Sequence, residues 1–162
     1  MFPDERIDSI FDLDFDKLRS KGIKYLIFDI DNTLAPYDCP GCEKDVEIFL
    51  RRAASDGFAV GFISNNKAAR VEKFNEVFKY EAAARARKPF KKGLYRLLTK
   101  MGAHKSQVCV VGDQLFTDVW MARSAGIYSV LVKPLCGRDE RGVWIKRVFE
   151  RIILMFYRDQ RE

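Results

Sequence analysis

The sequence predicts an α/β protein: a central parallel sheet of about five strands with helices on both faces. Three observations carry that expectation. Apolar runs at residues 25–28, 58–63, 108–111 and 127–132 have the near-continuous hydrophobicity of strands buried on both sides. Stretches of helical periodicity lie between them, and strand alternating with helix is the order of a parallel sheet covered on both faces. The runs ending at Phe28, Ile63 and Val111 also break into polar turns. In such sheets the loops after the strands meet at one edge, where ligands bind.

Each element has its own local reason. Residues 1–22 read as a peripheral arm with a short helix over 16–21, stopped by Gly22. Within it, Phe11-Asp-Leu-Asp-Phe-Asp16 alternates apolar and acidic residues and reads as a surface strand or a helix lead-in. Residues 25–28 are the first strand, and a loop with Pro36, Pro40 and Gly41 follows. Residues 44–55 place Val46, Phe49, Leu50 and Ala53 on one helical face, closed by Gly57. The second strand, 58–63, ends in Ser64-Asn65-Asn66 and leads to a helix over 68–78. Residues 80–84 form a short third strand. Ala86-Arg-Lys-Pro89 opens a helix reaching 101, with Pro89 near its first position. The fourth strand, 108–111, runs into Gly112-Asp-Gln-Leu-Phe-Thr-Asp118; a helix over 119–124 ends at Gly126, before the fifth strand. A last helix over 142–157 gathers Trp144, Ile145, Val148, Phe149, Ile152 and Phe156 on one arc, opposite Lys146, Arg147 and Arg151. Such a helix packs on the sheet or lies in a lipid interface.

The 162 residues, 48% of them apolar, suit one domain spanning 1–162 with an ordinary core. The start of the chain lacks an apolar leader, and the longest apolar run, 152–157, is too short to span a bilayer. A soluble, cytoplasmic protein is expected. The net charge of +6 is unevenly spread: residues 79–105 carry nine basic residues and one acid. A basic middle suits anionic substrates or surfaces, and no nucleic-acid partner is expected. Cys39 and Cys42 bracket a Pro-Gly turn, but zinc wants four ligands and no second pair exists. Cys109 reads as a buried thiol. His104 sits in a polar turn and reads as exposed and idle.

The chemistry gathers after the first strand. Asp29 and Asp31 stand at i and i+2, a spacing that on a strand points both carboxylates to one side, about 6–7 Å apart. Like charges that close repel unless a cation compensates them. The pair asks for a metal.

Asp29-Ile-Asp31-Asn-Thr33 resembles the first motif of the haloacid dehalogenase-like (HAD) phosphohydrolases. The later turns match the family's other motifs in order. Ser64, with Asn65 beside it, resembles the hydroxyl motif that binds a phosphoryl oxygen. Lys88 resembles the cation that neutralises nucleophile and phosphate. Asp113 and Asp118 resemble the acids that, with Asp29 and Asp31, complete a Mg2+ site. The likeness covers residues 23–132 and implies a three-layer, Rossmann-like fold. Oxygen ligands without His or Cys favour Mg2+ over Zn2+. Asp29 is then the nucleophile, giving an aspartyl-phosphate, and Asp31 protonates the leaving alcohol and later activates water. By resemblance, phosphatases keep this second acid and dehalogenases lack it.

The intervals 31–64 and 64–88 are filled by the expected helices and strands, so no cap domain fits. A closer resemblance is to the YqeG-like branch, which includes mitochondrial phosphatidylglycerophosphate phosphatases. Ala86-Arg-Lys-Pro89, Gly112–Asp118 and Leu131-Val-Lys-Pro-Leu135 carry it. It implies a glycerophospholipid head group as substrate; the interfacial reading of the 142–157 helix adds an anionic membrane surface as partner, with the protein peripheral on that membrane. The Cys39/Cys42 turn departs from that branch. A phosphatase for soluble sugar phosphates, nucleotides or phosphoproteins is the rival. A receiver domain would carry its acids on different strands and lack the acid at +2, and a silent membrane adaptor would not need the full motif set.

Overall fold

The structure, a computed structural model, describes residues 2–39 and 41–135; the helix expected over 142–157 lies outside the described residues. Six parallel strands form one sheet: β1 (Glu5–Ile7), β2 (Tyr25–Phe28), β3 (Ala59–Ile63), β4 (Glu81–Ala83), β5 (Val108–Gly112) and β6 (Tyr128–Val132). Their order is β1-β6-β5-β2-β3-β4. The helices are α1 (Phe15–Ser20), α2 (Lys44–Ser55), α3 (Ala68–Asn75), α4 (Lys92–Met101) and α5 (Trp120–Ser124).

The α/β architecture agrees with the sequence, and the sheet has one strand more than expected. That strand is β1, from the arm read as peripheral. It pairs in parallel with β6, Arg6 against Leu131. Its anchor is Asp4, whose carboxylate accepts from the Ser129 amide at 2.9 Å and hydroxyl at 3.0 Å. The Phe11–Asp16 string is a helix lead-in: Asp14 accepts from the Lys17 amide at 2.9 Å and caps α1.

Alternation along β2 divides the core. Leu26 and Phe28 point to one face, where Phe49 of α2 and Phe74 of α3 pack; Ile27 points to the other, with Leu94 and Leu97 of α4 and Met121 of α5. Phe62, fully buried, meets Phe74 edge-on at 5.3 Å between centroids. Replacing it with Ala would cost about 3–5 kcal/mol.

Helix α2 has the expected bounds and buries the four predicted residues. Helix α4 does not begin at Pro89. Arg85 and Arg87 hold positive φ, 47° and 57°, and the Phe90 amide donates to the Arg87 carbonyl, so the chain turns before the helix starts at Lys92. Among the described residues the intervals after β2 and β3 contain only α2, β3, α3 and β4, with no cap.

Strand order reverses at β2, which lies between β3 and β5. The crevice beyond the carboxyl ends of these strands is where an open α/β sheet binds ligands. Phe28 lies level with Val111 and Phe62, so Asp29, Asp113 and Ser64 emerge side by side.

Candidate active site

Backbone geometry delivers the first acids. The Asp29 amide donates to the Val111 carbonyl at 2.9 Å, extending the β2–β5 ladder and holding Asp29 beside the β5 exit. After β5 the chain forms a π-helical turn, Leu115–Val119, which brings Asp118 back over the strand end. π-Turns are rare and cluster at functional sites. Gly112 makes room for that return: a Cβ there would lie 2.4 Å from Asp118 Cγ. The Gln114 amide donates to Asp118 Oδ2 at 3.2 Å.

Of the four aspartates expected to hold a metal, three are brought together. One carboxylate oxygen each from Asp29, Asp113 and Asp118 lies within 4.8 Å of the others, and all three residues are buried. Three carboxylates, with neither His nor Cys among them, suit a hard divalent cation. The Thr33 hydroxyl lies 3.3 Å from Asp29 Oδ2 and 3.4 Å from Asp113 Oδ1, linking two of them. Lys88 closes the set: its Nζ donates to Asp29 Oδ1 at 2.5 Å and to Asp118 Oδ1 at 2.6 Å. Burial opposes the ammonium, but Asp118 and Asp29 outweigh it and hold Lys88 above the ordinary lysine range. Burial pushes the Asp29 carboxyl up to about 7; Lys88 pulls it down, while Asp118 and Asp31 add to the rise. These carboxylates share too little positive charge to be comfortable.

Asp31 lines the same cavity but takes other partners. Asn32 takes the left-handed region, φ 63°, and a tight turn follows in which its amide donates to the Ala35 carbonyl at 2.7 Å. The Asp31 carboxylate then accepts from Ser64 Oγ at 3.1 Å, Asn66 Nδ2 at 3.4 Å and Arg70 Nε at 3.1 Å. Ser64 Oγ also accepts from the Asn66 amide at 2.9 Å, shaping the turn into α3. Asn65, expected beside the phosphate, spends its side chain on Lys88: its Oδ1 accepts from the Lys88 amide at 2.6 Å and its Nδ2 donates to the Lys88 carbonyl at 3.1 Å. Asn65 therefore sets where Lys88 stands.

Sequence reasoning missed Arg70, and gave Thr33 no role beyond its place in the motif. Arg70 also donates to the Pro36 carbonyl at 3.4 Å, so it ties α3 to the loop after β2. Thr33 was legible as the last residue of the Asp29 motif; Arg70 carried no local signal. Cys39 and Cys42 are free thiols, and burial, with Glu47 and Glu43 nearby, pushes Cys42 up to about 11. His104 is exposed, and its Nδ1 lies 2.8 Å from Ser106 Oγ.

The groups open onto a cavity of about 560 Å3. Asp29, Asp31, Ser64, Asn65 and Lys88 line it, together with Tyr37, Lys67 and Phe116. Buried carboxylates, one ammonium and a ring of polar turns have the charges that suit a phosphorylated ligand with a cation.

Comparison with known proteins settles the family. The chain is 34% identical to Probable phosphatase YqeG of Bacillus subtilis over 152 residues, covering 94% of this chain and 88% of that protein. The chain belongs to the HAD-like phosphatase family. The HAD-hydrolase-like family model matches residues 85–140, the stretch holding Lys88, Asp113 and Asp118. A second relative, phosphatidylglycerophosphate phosphatase 1, chloroplastic/mitochondrial, of Arabidopsis thaliana, is 30% identical over 143 residues; the match takes 79% of this chain and 39% of that longer protein. The fold is shared with the cobalt-bound deoxy-D-mannose-octulosonate 8-phosphate phosphatase YrbI of Haemophilus influenzae, at TM-score 0.57 and 12% identity over 78% of this chain and 72% of that one. This HAD phosphatase gathers Asp29, Asp113 and Asp118 at the edge where its sheet reverses. Among the described residues no helix is long and apolar enough to cross a membrane.

Proposed function

We propose that this phosphatase hydrolyses a phosphate monoester through an aspartyl-phosphate on Asp29, with Mg2+ as its metal and a phospholipid head group such as phosphatidylglycerophosphate as its substrate. The observation that carries the mechanism is the buried set of Asp29, Asp113 and Asp118 bridged by Lys88. Asp29, Asp113 and Asp118 would hold the ion, which when bound supplies positive charge against the phosphoryl oxygens.

A carboxylate oxygen of Asp29 attacks phosphorus, the ester P–O bond breaks, and the leaving alkoxide takes a proton from Asp31. Water then attacks the aspartyl-phosphate and gives its proton to Asp31, so that phosphate leaves and both acids are restored. Lys88 stabilises charge on Asp29 and on the transferred group. Asp31 lies on the cavity wall, with Arg70, Ser64 and Asn66 around its carboxylate. Ser64 and Asn66 are released to phosphoryl oxygens when Asp31 turns to the substrate. The capless cavity supports a bulky or surface-bound ester, and the Arabidopsis relative's name supports the lipid.

The test is phosphate release with and without Mg2+, with Asp29→Asn as the blank. Phosphatidylglycerophosphate in mixed micelles is compared with an aryl phosphate and soluble sugar phosphates. Mg2+-dependent preference for the lipid supports the whole reading. Turnover of soluble esters alone keeps the mechanism and removes the lipid; wild type equal to the blank removes the mechanism.

A further inference from the structure

Side chains the chemistry does not use stand next along the chain to the cavity wall. Phe90 directly follows Pro89 of that wall and is 72% exposed; Trp120 starts α5 three residues after Thr117 of the wall and is 47% exposed. A fold gains nothing from leaving two of its largest apolar rings in water. The two stand on neighbouring elements. Lys91 Nζ donates to the Ser124 carbonyl at 3.3 Å, tying the 87–91 turn to α5. Trp120 and Ser124 are four residues apart and share one face of that helix. Tyr37, 41% exposed, and Phe116 extend the aromatic border along the cavity.

The charge on this rim has one dominant sign. Lys67, Arg85 and Arg87 are exposed, and among the described residues none of them is ion-paired. Other exposed cations, Lys79, Arg96 and Lys100 among them, also lack an ion pair among the described residues, so what marks these three is their place beside the cavity and not their being unpaired. The acid beside Tyr37 is Asp38, also exposed. Arg85 and Arg87 are held at the site's edge by backbone bonds to its loops: the Arg85 amide donates to the Asn66 carbonyl at 2.9 Å, and the Ala86 amide to the Ser64 carbonyl at 3.0 Å. Exposed rings with one polar end or an apolar body, ringed by uncompensated cations, match the interfacial layer of an anionic bilayer, where aromatic side chains sit at headgroup level and Lys or Arg meets phosphate.

We propose that this rim, with Phe90 and Trp120 as its apolar contacts and Lys67, Arg85 and Arg87 as its cations, docks the protein onto an anionic lipid surface so that the cavity opens onto the headgroups. This rests on the reading that the substrate is a phospholipid head group, and it assigns the membrane contact to the site's own edge rather than to residues 142–157.

The test is sedimentation of the full chain with phosphatidylcholine vesicles, with and without phosphatidylglycerol. Two double variants are compared with wild type: Arg85→Gln with Arg87→Gln, and Phe90→Gln with Trp120→Gln. Wild type is expected to bind the anionic vesicles and not the neutral ones. Each cation contributes roughly fivefold at such a surface, so the first variant binds about 25-fold more weakly. The second loses on the order of tenfold. Both variants should melt and hydrolyse an aryl phosphate as wild type does, which separates a lost contact from a lost fold. Binding is read without turnover, so it stands or falls apart from the catalytic reading. Wild-type binding retained by both variants would move the contact elsewhere and overturn the proposal. No binding by wild type would also overturn it. Self-association of wild type that Phe90→Gln abolishes would give the rim to a second copy of the chain.

Discussion

Replacing Lys88 with Met tests whether the buried acids depend on a cation. The ammonium lies 2.5 Å from Asp29 Oδ1 and 2.6 Å from Asp118 Oδ1, and its side chain is 4% exposed. At an effective dielectric near 20, each such contact is worth about 6 kcal/mol of Coulomb attraction. Desolvating the three charges cancels several kcal/mol per ion. Met keeps most of the volume but leaves the carboxylates facing one another. Asp29, already pushed up to about 7, then takes a proton rather than stay charged, which limits the loss. The expected net cost without metal is about 3–5 kcal/mol, or a fall in Tm of roughly 6–20 °C. Urea unfolding and thermal melts in chelator measure it. Repeating them in millimolar Mg2+ should recover most of the loss, because a divalent ion replaces the missing charge. A loss below about 1 kcal/mol in chelator, or a loss indifferent to Mg2+, would refute the claim that these acids and Lys88 form one electrostatic unit.

Other perturbations probe separate parts of the site. Gly112→Ala places a methyl group 2.4 Å from Asp118 Cγ. It should cost about 1–3 kcal/mol in urea unfolding and weaken Mg2+ activation by displacing Asp118. Asn65→Ala removes both bonds to the Lys88 backbone. About 1–3 kcal/mol of stability should be lost, with kcat for an aryl phosphate falling further than KM changes, since Lys88 is misplaced rather than removed. The pH dependence follows from Asp29. Its carboxyl ionises near 3.8 in the unfolded chain and about 7 in the fold, so the folded protein holds a proton the unfolded chain has released. In chelator, this group's contribution is therefore fully present below about pH 4 and lost as pH rises through 7. Melts across that range should show the decline, and Mg2+ should flatten it.

Several parts of the fold were legible because the signal was local. Helix α2 has the bounds the periodicity gave, since four apolar residues at helical spacing and a closing Gly57 act within one element. Strand β1 was not legible: Glu-Arg-Ile is too short to show a pattern, and it becomes a strand because Asp4 grips Ser129 and β6 offers an open edge. The start of α4 was misjudged because Pro89 suits a first helical position in isolation. The backbone bonds from Arg85 to Asn66 and from Ala86 to Ser64 instead hold the preceding turn on the site. Arg70 reaches Asp31 across 39 residues, and no spacing rule spans that interval.

What the sequence determined by itself was the set of chemical groups and the edge at which they meet. Apolar runs become buried parallel strands, and parallel strands deliver all their following turns to one side. What only the tertiary structure decided was how those groups divide. Asp29, Asp113 and Asp118 share one buried cluster with Lys88, while Asp31, two residues beyond Asp29, turns at Asn32 to meet Arg70 and Ser64. Both acids still face one cavity, as the i, i+2 spacing gives, but the spacing does not choose their partners. β2 ends at Phe28, and from there the direction of each carboxylate is set by the neighbours the fold supplies.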